Sequence, residues 1–375
     1  MLCQWYPIDL SAADGCSSSV GLSRFSCNFE PVETSSDWFF VKNGLRRSRV
    51  SKERIAIILP NRIGDALLSL PAILCLKQLI NAHAPDHYAV TLYTHVPVVD
   101  IVTAANLFDI KSVNLSAKIN SWLHPADKAF FLTTTSKHFG FHAKKTYGLM
   151  LQNKKFIRYS VDMSCLNFSP ESSGLPADLV TFLQERHGLP FYAVRLFGIC
   201  LELGFTVDQI CSSFNYSGKS LLLADEFFDW RPPVDASYLV VCMEAAYGGV
   251  RHNSDRRWQE GCYFDIAERV YRQHGCRSIF IGINTQPSLP VRDYFIDLRG
   301  KLNLKQLAQT LHASRGYVGN DTGPLHVANL VRKPSLGIYF RDDYHAPLFG
   351  DYNTVVMRPQ SPQEVYPLID RLLGS

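Results

Sequence analysis

The sequence predicts an α/β chain of two successive doubly wound domains that face a cleft. Two series of alternating strand-like and helix-like segments carry this reading, one starting at Arg54 and the other near Tyr238. Two turns, at Gly64-Asp65 and Asn320–His326, each follow a strand, at the carboxyl ends where such sheets bind ligands. The 375 residues suit two domains, and 46% hydrophobic content with 12% aromatics is enough to fill two cores.

Residues 1–50 have Ser-rich pieces and no sustained period, so they read as an irregular N-terminal extension. The first domain spans 51–205. Its leading strand is Arg54–Leu59, followed by the turn Pro60–Asp65 and an apolar helix over Ala66–Ile80, with Pro71 marking either a kink or a first turn. Further strands are expected at Ala89–Tyr93, Ile110–Val113, Ala129–Thr133 and Phe156–Tyr159, and helices at Leu179–Gly188 and Phe191–Gly204. A linker region, 206–237, leads to the second domain, 238–375. Its strands are expected at Tyr238–Met243, Ser278–Ile283, Tyr294–Leu298, Gly316–Gly319 and Ser335–Phe340. Its helices are expected at Gly261–His274, Leu304–Ser314, Leu325–Val331 and Pro362–Leu373.

The chain is organised around Gly319–Arg332. A short apolar strand enters this stretch, and an apolar helix leaves it. Asn320, Asp321 and Thr322 are N-cap types, and Pro324 suits a first helical position. Backbone N–H groups at such a tip lack intrahelical partners and suit an anion, a diphosphate above all. Gly323 permits close approach of a ligand, and His326 projects from the first turn. The same pattern also describes an ordinary capped helix. Asp65 has two readings too: a carboxylate in a helix's first turn, or a general base facing the cleft. After the second domain's first strand, Gly248-Gly249 makes a loop in which Arg251, Arg256 and Arg257 bring forks suited to phosphate oxygens.

A net charge of +4 gives no argument for nucleic acid. Ten cysteines without a C-x-x-C pair read as free thiols in a reducing compartment. No run approaches a membrane span and no signal peptide is evident, so the chain reads as cytosolic and soluble. There is no D-x-D pair, no G-x-G-x-x-G after a leading strand, no P-loop and no G-x-S-x-G elbow.

Ile63–Ala72 resembles the N-terminal motif of glycosyltransferase family 9, the ADP-heptose:lipopolysaccharide heptosyltransferases. Asn320–Ala328 is similar to that family's Asp-Thr-Gly-Pro-x-His-x-Ala motif. Asp297–Leu304 resembles its Leu-x-Gly-Lys-x-x-Leu segment, and Arg256-Arg257-Trp258 its Lys-x-Trp. The resemblance spans roughly residues 54–358 in order. It implies a GT-B fold: two Rossmann-like doubly wound domains, the first binding the acceptor and the second the nucleotide sugar. It also implies inverting, metal-independent sugar transfer with no cofactor. The donor would be an ADP-sugar, ADP-heptose first, and the acceptor an anionic glycolipid, the lipopolysaccharide inner core. The enzyme would be cytoplasmic, touching the inner face of the inner membrane peripherally.

By resemblance, Asp65 is the catalytic base, and Asp321, Thr322, Gly323, Pro324 and His326 hold the donor phosphates. Arg256 stands for the family's phosphate-binding lysine, with Arg257 beside it. Arg62, Lys144 and Lys145 are expected to bind the acceptor. The chain departs from the family at Met243–Ala246, where His-Pro-Gly-Ala is usual. It departs again at Gly282–Pro287, where a ribose-binding Glu is usual and Gln286 is the nearest candidate. Two rival readings are transfer to a protein or another glycan, and a GT-B scaffold that binds a sugar nucleotide without catalysis.

Overall fold

The β-branched and apolar runs of the first series assemble into a five-stranded parallel sheet, described here from a computed structural model. The residues described are 51–94, 96–132, 143–148, 174–216, 221, 223, 225–234, 236–247, 251, 252, 256–342 and 346–374. The strands are β1 (Glu53–Ile58), β2 (Tyr88–Thr94), β3 (Asp109–Ser112), β4 (Ala126–Phe131) and β5 (Ala143–Gly148). Their spatial order is β3-β2-β1-β4-β5. The second series gives β6 (Tyr238–Cys242), β7 (Arg277–Ile281), β8 (Phe295–Asp297), β9 (Gly316–Asn320), β10 (Ser335–Tyr339) and β11 (Asn353–Met357). They pair in parallel in the order β8-β7-β6-β9-β10-β11. In each sheet the first strand lies inside, flanked by strands reached from opposite directions. This reversal opens a crevice at the carboxyl ends of β1/β4 and of β6/β9.

The expected helix over Ala66–Ile80 is two helices. α1 (Ile63–Leu68) ends at Ser69, and α2 (Leu70–His83) begins with Pro71 in its first turn, where a missing N–H is harmless. The 21-residue run Ile63–His83 is long and apolar enough to cross a membrane, which corrects the expectation that no run approaches that length; most of it is buried in the fold. Helices α3 (Val96–Ala104) and α4 (Leu115–Leu123) fill segments that carry no distinct sequence pattern. α5 (Ala177–Thr181) runs on into a π-helical turn, Phe182–Arg186. α6 (Phe191–Val194), the 3₁₀ turn Arg195–Phe197 and α7 (Gly198–Glu202) follow Pro190 in one continuous rod. The capping box of Thr206 and Gln209 starts α8 (Val207–Ser213) inside the expected linker.

In the second half, α9 (Glu260–His274) and α10 (Leu304–Ala313) agree with the periodicity, α11 (Gly323–Leu330) starts two residues early, and α12 (Tyr366–Gly374) starts four residues late, behind a 3₁₀ turn at Pro362–Glu364. Strands β5 and β11 were not expected. The expected strand Phe156–Tyr159 and the loop Gly248-Gly249 lie outside the described residues.

The described residues all belong to one compact unit. Within it one apolar cluster runs from β1 and α2 through Leu196, Phe197 and Phe214 to β6, β7 and α11. It joins the two sheets without a break. A smaller cluster packs α9 and α12 on the far face of the second sheet, and a third covers the far face of the first. Six cysteines are described, all free, and all but Cys211 are buried.

Polar pins fix the loops above the second sheet. Asn329 donates from Nδ2 to the Phe349 carbonyl at 2.7 Å and accepts the Phe349 N–H at 2.9 Å. The Phe349 ring in turn stacks on Tyr216. Arg299, 2% exposed, makes a bidentate pair with Asp297 at 2.9 and 2.8 Å and donates to the Pro287 carbonyl at 2.8 Å. Arg299 is the largest influence on the Asp297 carboxyl, holding it below the usual carboxylate range. A depressed acid stabilises the fold above its unfolded value of about 3.9 and ceases to do so as pH falls below it. Arg299→Ala is therefore expected to cost about 1–2 kcal/mol in urea unfolding at neutral pH, since water reaches the Asp297 carboxylate left behind. The deficit should shrink below about pH 4.

Candidate active site

Both crevices end in a helix tip, and the two tips touch. On the first, Arg62 takes the N-cap position of α1 with extended backbone, and its carbonyl accepts the Ala66 N–H at 2.9 Å. Asp65 lies in the first turn and is 6% exposed. On the second, Thr322 is the N-cap of α11, with Gly323 and Pro324 opening the helix. The Thr322 side chain does not cap the helix as its residue type suggested. Its hydroxyl donates back to the Asn320 carbonyl at 3.3 Å, so no side-chain cap occupies the N–H groups of this tip.

A Cβ on Gly64 would lie 2.7 Å from Cδ2 and 2.9 Å from Nε2 of His326. A Cβ on Gly323 would lie 3.1 Å from Cβ of Ile63. Each helix therefore brings a glycine to the point where the other brings a side chain. His326 is 6% exposed, and its Nε2 stands 4.0 Å from Asp321 Oδ1. Arg256 donates to the Asp321 carboxylate and, at 3.2 Å, to its carbonyl. Asp321 thus holds a guanidinium beside the α11 tip, with the His326 ring close by.

Asn320, considered from sequence only as a cap type, is the buried rivet under this arrangement. Its Oδ1 accepts from Tyr263 Oη at 2.8 Å and from the Trp258 N–H at 3.3 Å. Its Nδ2 donates to the Met243 carbonyl at 2.9 Å. These bonds join the ends of β6 and β9 to the Arg256–Trp258 segment. Glu244 was noted only as part of a departure. Its carboxylate accepts the N–H groups of Ile283, at 2.9 Å, and Asn284. Gly282, at φ +147°, leaves room for it, since a Cβ there would lie 2.6 Å from the Glu244 carboxyl carbon. A carboxylate does stand against the loop after β7, delivered by β6. The signal was an acid directly beyond the central strand.

The remaining candidates are placed less centrally. Arg257 pairs with Glu260 in the first turn of α9. Gln286 is exposed, and its backbone N–H donates to Asn284 Oδ1 at 3.1 Å. Lys144 and Lys145, expected to bind the acceptor from the rim of the first domain, lie away from Asp65. They lie near the amino end of β5, where Lys145 is level with Lys128, and Lys128 with Ile55. Asp65 follows the opposite, carboxyl end of β1. Lys144 instead pairs with Asp127 at 2.7 Å, and this bond, with the Arg54 N–H, holds that carboxyl low.

The family described as "Glycosyltransferase family 9 (heptosyltransferase)" matches residues 192–364. The chain is 25% identical over 132 residues to lipooligosaccharide heptosyltransferase 2 of Haemophilus influenzae, and the match spans 33% of each protein. Among solved structures, a glycosyltransferase family 9 protein of Veillonella parvula aligns with a TM-score of 0.56 at 15% identity. That alignment covers 88% of this chain and 99% of the other. ADP-heptose LPS heptosyltransferase II of E. coli aligns with a TM-score of 0.51 at 13% identity, covering 85% and 98%. At these identities the likeness concerns the fold.

The packing of the tips makes Gly64 a sensitive position. Gly64→Ala is expected to displace His326 or part the two helices, lowering thermal stability by about 1–3 kcal/mol as overpacking does. It should also weaken nucleotide binding in calorimetry. A variant with parental stability and affinity would show that the tips do not pack this way.

Proposed function

We propose that this chain, whose residues 192–364 match the family "Glycosyltransferase family 9 (heptosyltransferase)" and whose fold is GT-B, moves heptose from ADP-heptose to a lipopolysaccharide inner-core acceptor, with inversion. The observation that carries this reading is the Gly64–His326 contact. It sets an acid, one residue further along α1, beside a helix tip suited to a diphosphate.

In this reading the Asp65 carboxylate takes the proton of an acceptor hydroxyl as its oxygen attacks the anomeric carbon. The bond between that carbon and the diphosphate oxygen breaks, and ADP leaves on the opposite face. The negative charge gathering on the leaving phosphate meets the N–H groups at Thr322–Gly323, the His326 ring and the Arg256 fork. Preorganised donors of this kind contribute about 3–4 kcal/mol each in comparable sites. Asp321 orients Arg256 through a direct ion pair, with His326 4.0 Å away. The positive groups the reaction needs are thus side chains and backbone of this chain, and the proposal includes transfer without a divalent metal.

In this reading Glu244, held by the loop after β7, faces the nucleoside, and Arg62, at the cap of α1, meets the anionic acceptor. The enzyme would work in the cytoplasm, meeting its glycolipid acceptor at the inner face of the membrane.

Mass spectrometry of transfer from ADP-heptose to a deacylated inner-core acceptor tests this. Asp65→Asn should fall by about 10²–10⁴-fold, and excess EDTA should leave the parent rate unchanged. Turnover undiminished in Asp65→Asn removes Asp65 as the base, and loss of the parent rate with EDTA removes the metal-free mechanism. In calorimetry ADP should bind more tightly than UDP or GDP, and a preference for UDP would overturn the donor assignment.

A further inference from the structure

Gly319, Cys242 and Ile281 stand level at the carboxyl ends of three neighbouring strands, β9, β6 and β7. Two residues further along each come Asp321, Glu244 and Ile283. Neighbouring strands lie about 4.8 Å apart, so a row across these three is about 10 Å long. Hydrogen bonds tie its members together. Asn320 Nδ2, beside Asp321, donates to the Glu244 carbonyl at 3.3 Å, and the Glu244 carboxylate accepts the Ile283 N–H at 2.9 Å. The Gly300 N–H donates to the Gly282 carbonyl at 2.7 Å and ties the same loop to the segment after β8.

The chemistry changes along the row. At one end Asp321 holds Arg256 beside the α11 tip. In the middle is the Glu244 carboxylate, whose oxygens each have a further lone pair besides those that accept the Ile283 and Asn284 N–H groups. At the other end Ile283 is 79% exposed and belongs to none of the three apolar clusters. A single exposed isoleucine is ordinary on a protein surface. This one is carried on a backbone fixed by Glu244 on one side and by Gly300 on the other, so covering its side chain orders little else.

A nucleoside diphosphate has the same sequence of parts: charged phosphates, a ribose with hydroxyls, and a flat base with apolar faces. We propose that Ile283 is the seat of the donor's base, with the ribose hydroxyls beside Glu244 and the phosphates at the α11 tip. Ile283 is then the residue that favours a nucleotide over a bare diphosphate, and a large base over a small one. The proposal rests on the reading of the α11 tip as the diphosphate site.

Isothermal titration with ADP, UDP and inorganic pyrophosphate tests this. Ile283→Ser should raise the ADP Kd about tenfold and leave the pyrophosphate Kd unchanged, since only ADP carries a base. Ile283→Leu should keep the parental ADP Kd, because the seat needs apolar area and no particular branch. A purine covers more of the side chain than a pyrimidine, so the preference for ADP over UDP should shrink in Ile283→Ser. The position is exposed, and both variants should melt with the parent. Equal ADP affinity in the parent and Ile283→Ser would overturn the proposal. A parallel loss of ADP and pyrophosphate binding would do the same, making Ile283 a support of the phosphate site. If Ile283→Ser loses affinity for ADP alone while His326→Gln binds pyrophosphate as the parent does, the base seat stands and the α11 tip fails as the phosphate site.

Discussion

The structure depends on the close approach of two helix starts that would ordinarily keep apart. Helix N-termini carry partial positive charge, so α1 and α11 repel one another where Gly64 meets His326 and Ile63 meets Gly323. The chain places an acid on each tip, Asp65 in the first turn of α1 and Asp321 just before α11. Packing between glycines and side chains brings the tips together, and the two carboxylates make the meeting electrostatically tolerable. A diphosphate arriving there would add negative charge in the same sense. The contact that holds the halves together is therefore also suited to holding a donor.

Around this contact the fold spends its buried polar groups on rigidity. Asn320 ties β6, β9 and the Arg256–Trp258 segment into one block, so Arg256 reaches Asp321 from a fixed base. Arg299 and Glu244 secure the loops after β8 and β7 in the same way, each bonding to backbone across a turn. Behind these pins the apolar cluster shared by both sheets packs against α1 and α11 together. Precision at the tips thus comes from side chains that touch no ligand.

How much of this was readable from residues depends on the length scale of the cause. The alternation of strands and helices is local, and the sheets follow it closely. Pro71 could be read as a kink or a start, and it proved a start: α1 ends at Ser69, and Pro71 lies in the first turn of α2. β11 escaped notice because it is a half-exposed edge strand without an apolar run, and β5 because its Lys-Lys pair disguised it. The same pair looked like a basic rim, but only the parallel register shows that it lies at the wrong end of the sheet. Asp65 and His326 were legible as motif residues. Their companions were harder to read: Asn320 and Glu244 act through contacts distant in sequence, and the one local signal was the place of Glu244 directly beyond the central strand.

The most direct measurement is a crystal structure of this chain with ADP and an unreactive heptose analogue bound. The account predicts the β-phosphate within hydrogen-bond reach of the α11 N–H groups and His326, with the Asp65 carboxylate on the face of the anomeric carbon opposite the phosphate. A nucleotide bound away from Thr322–His326, or Asp65 on the same face as the leaving phosphate, would contradict it.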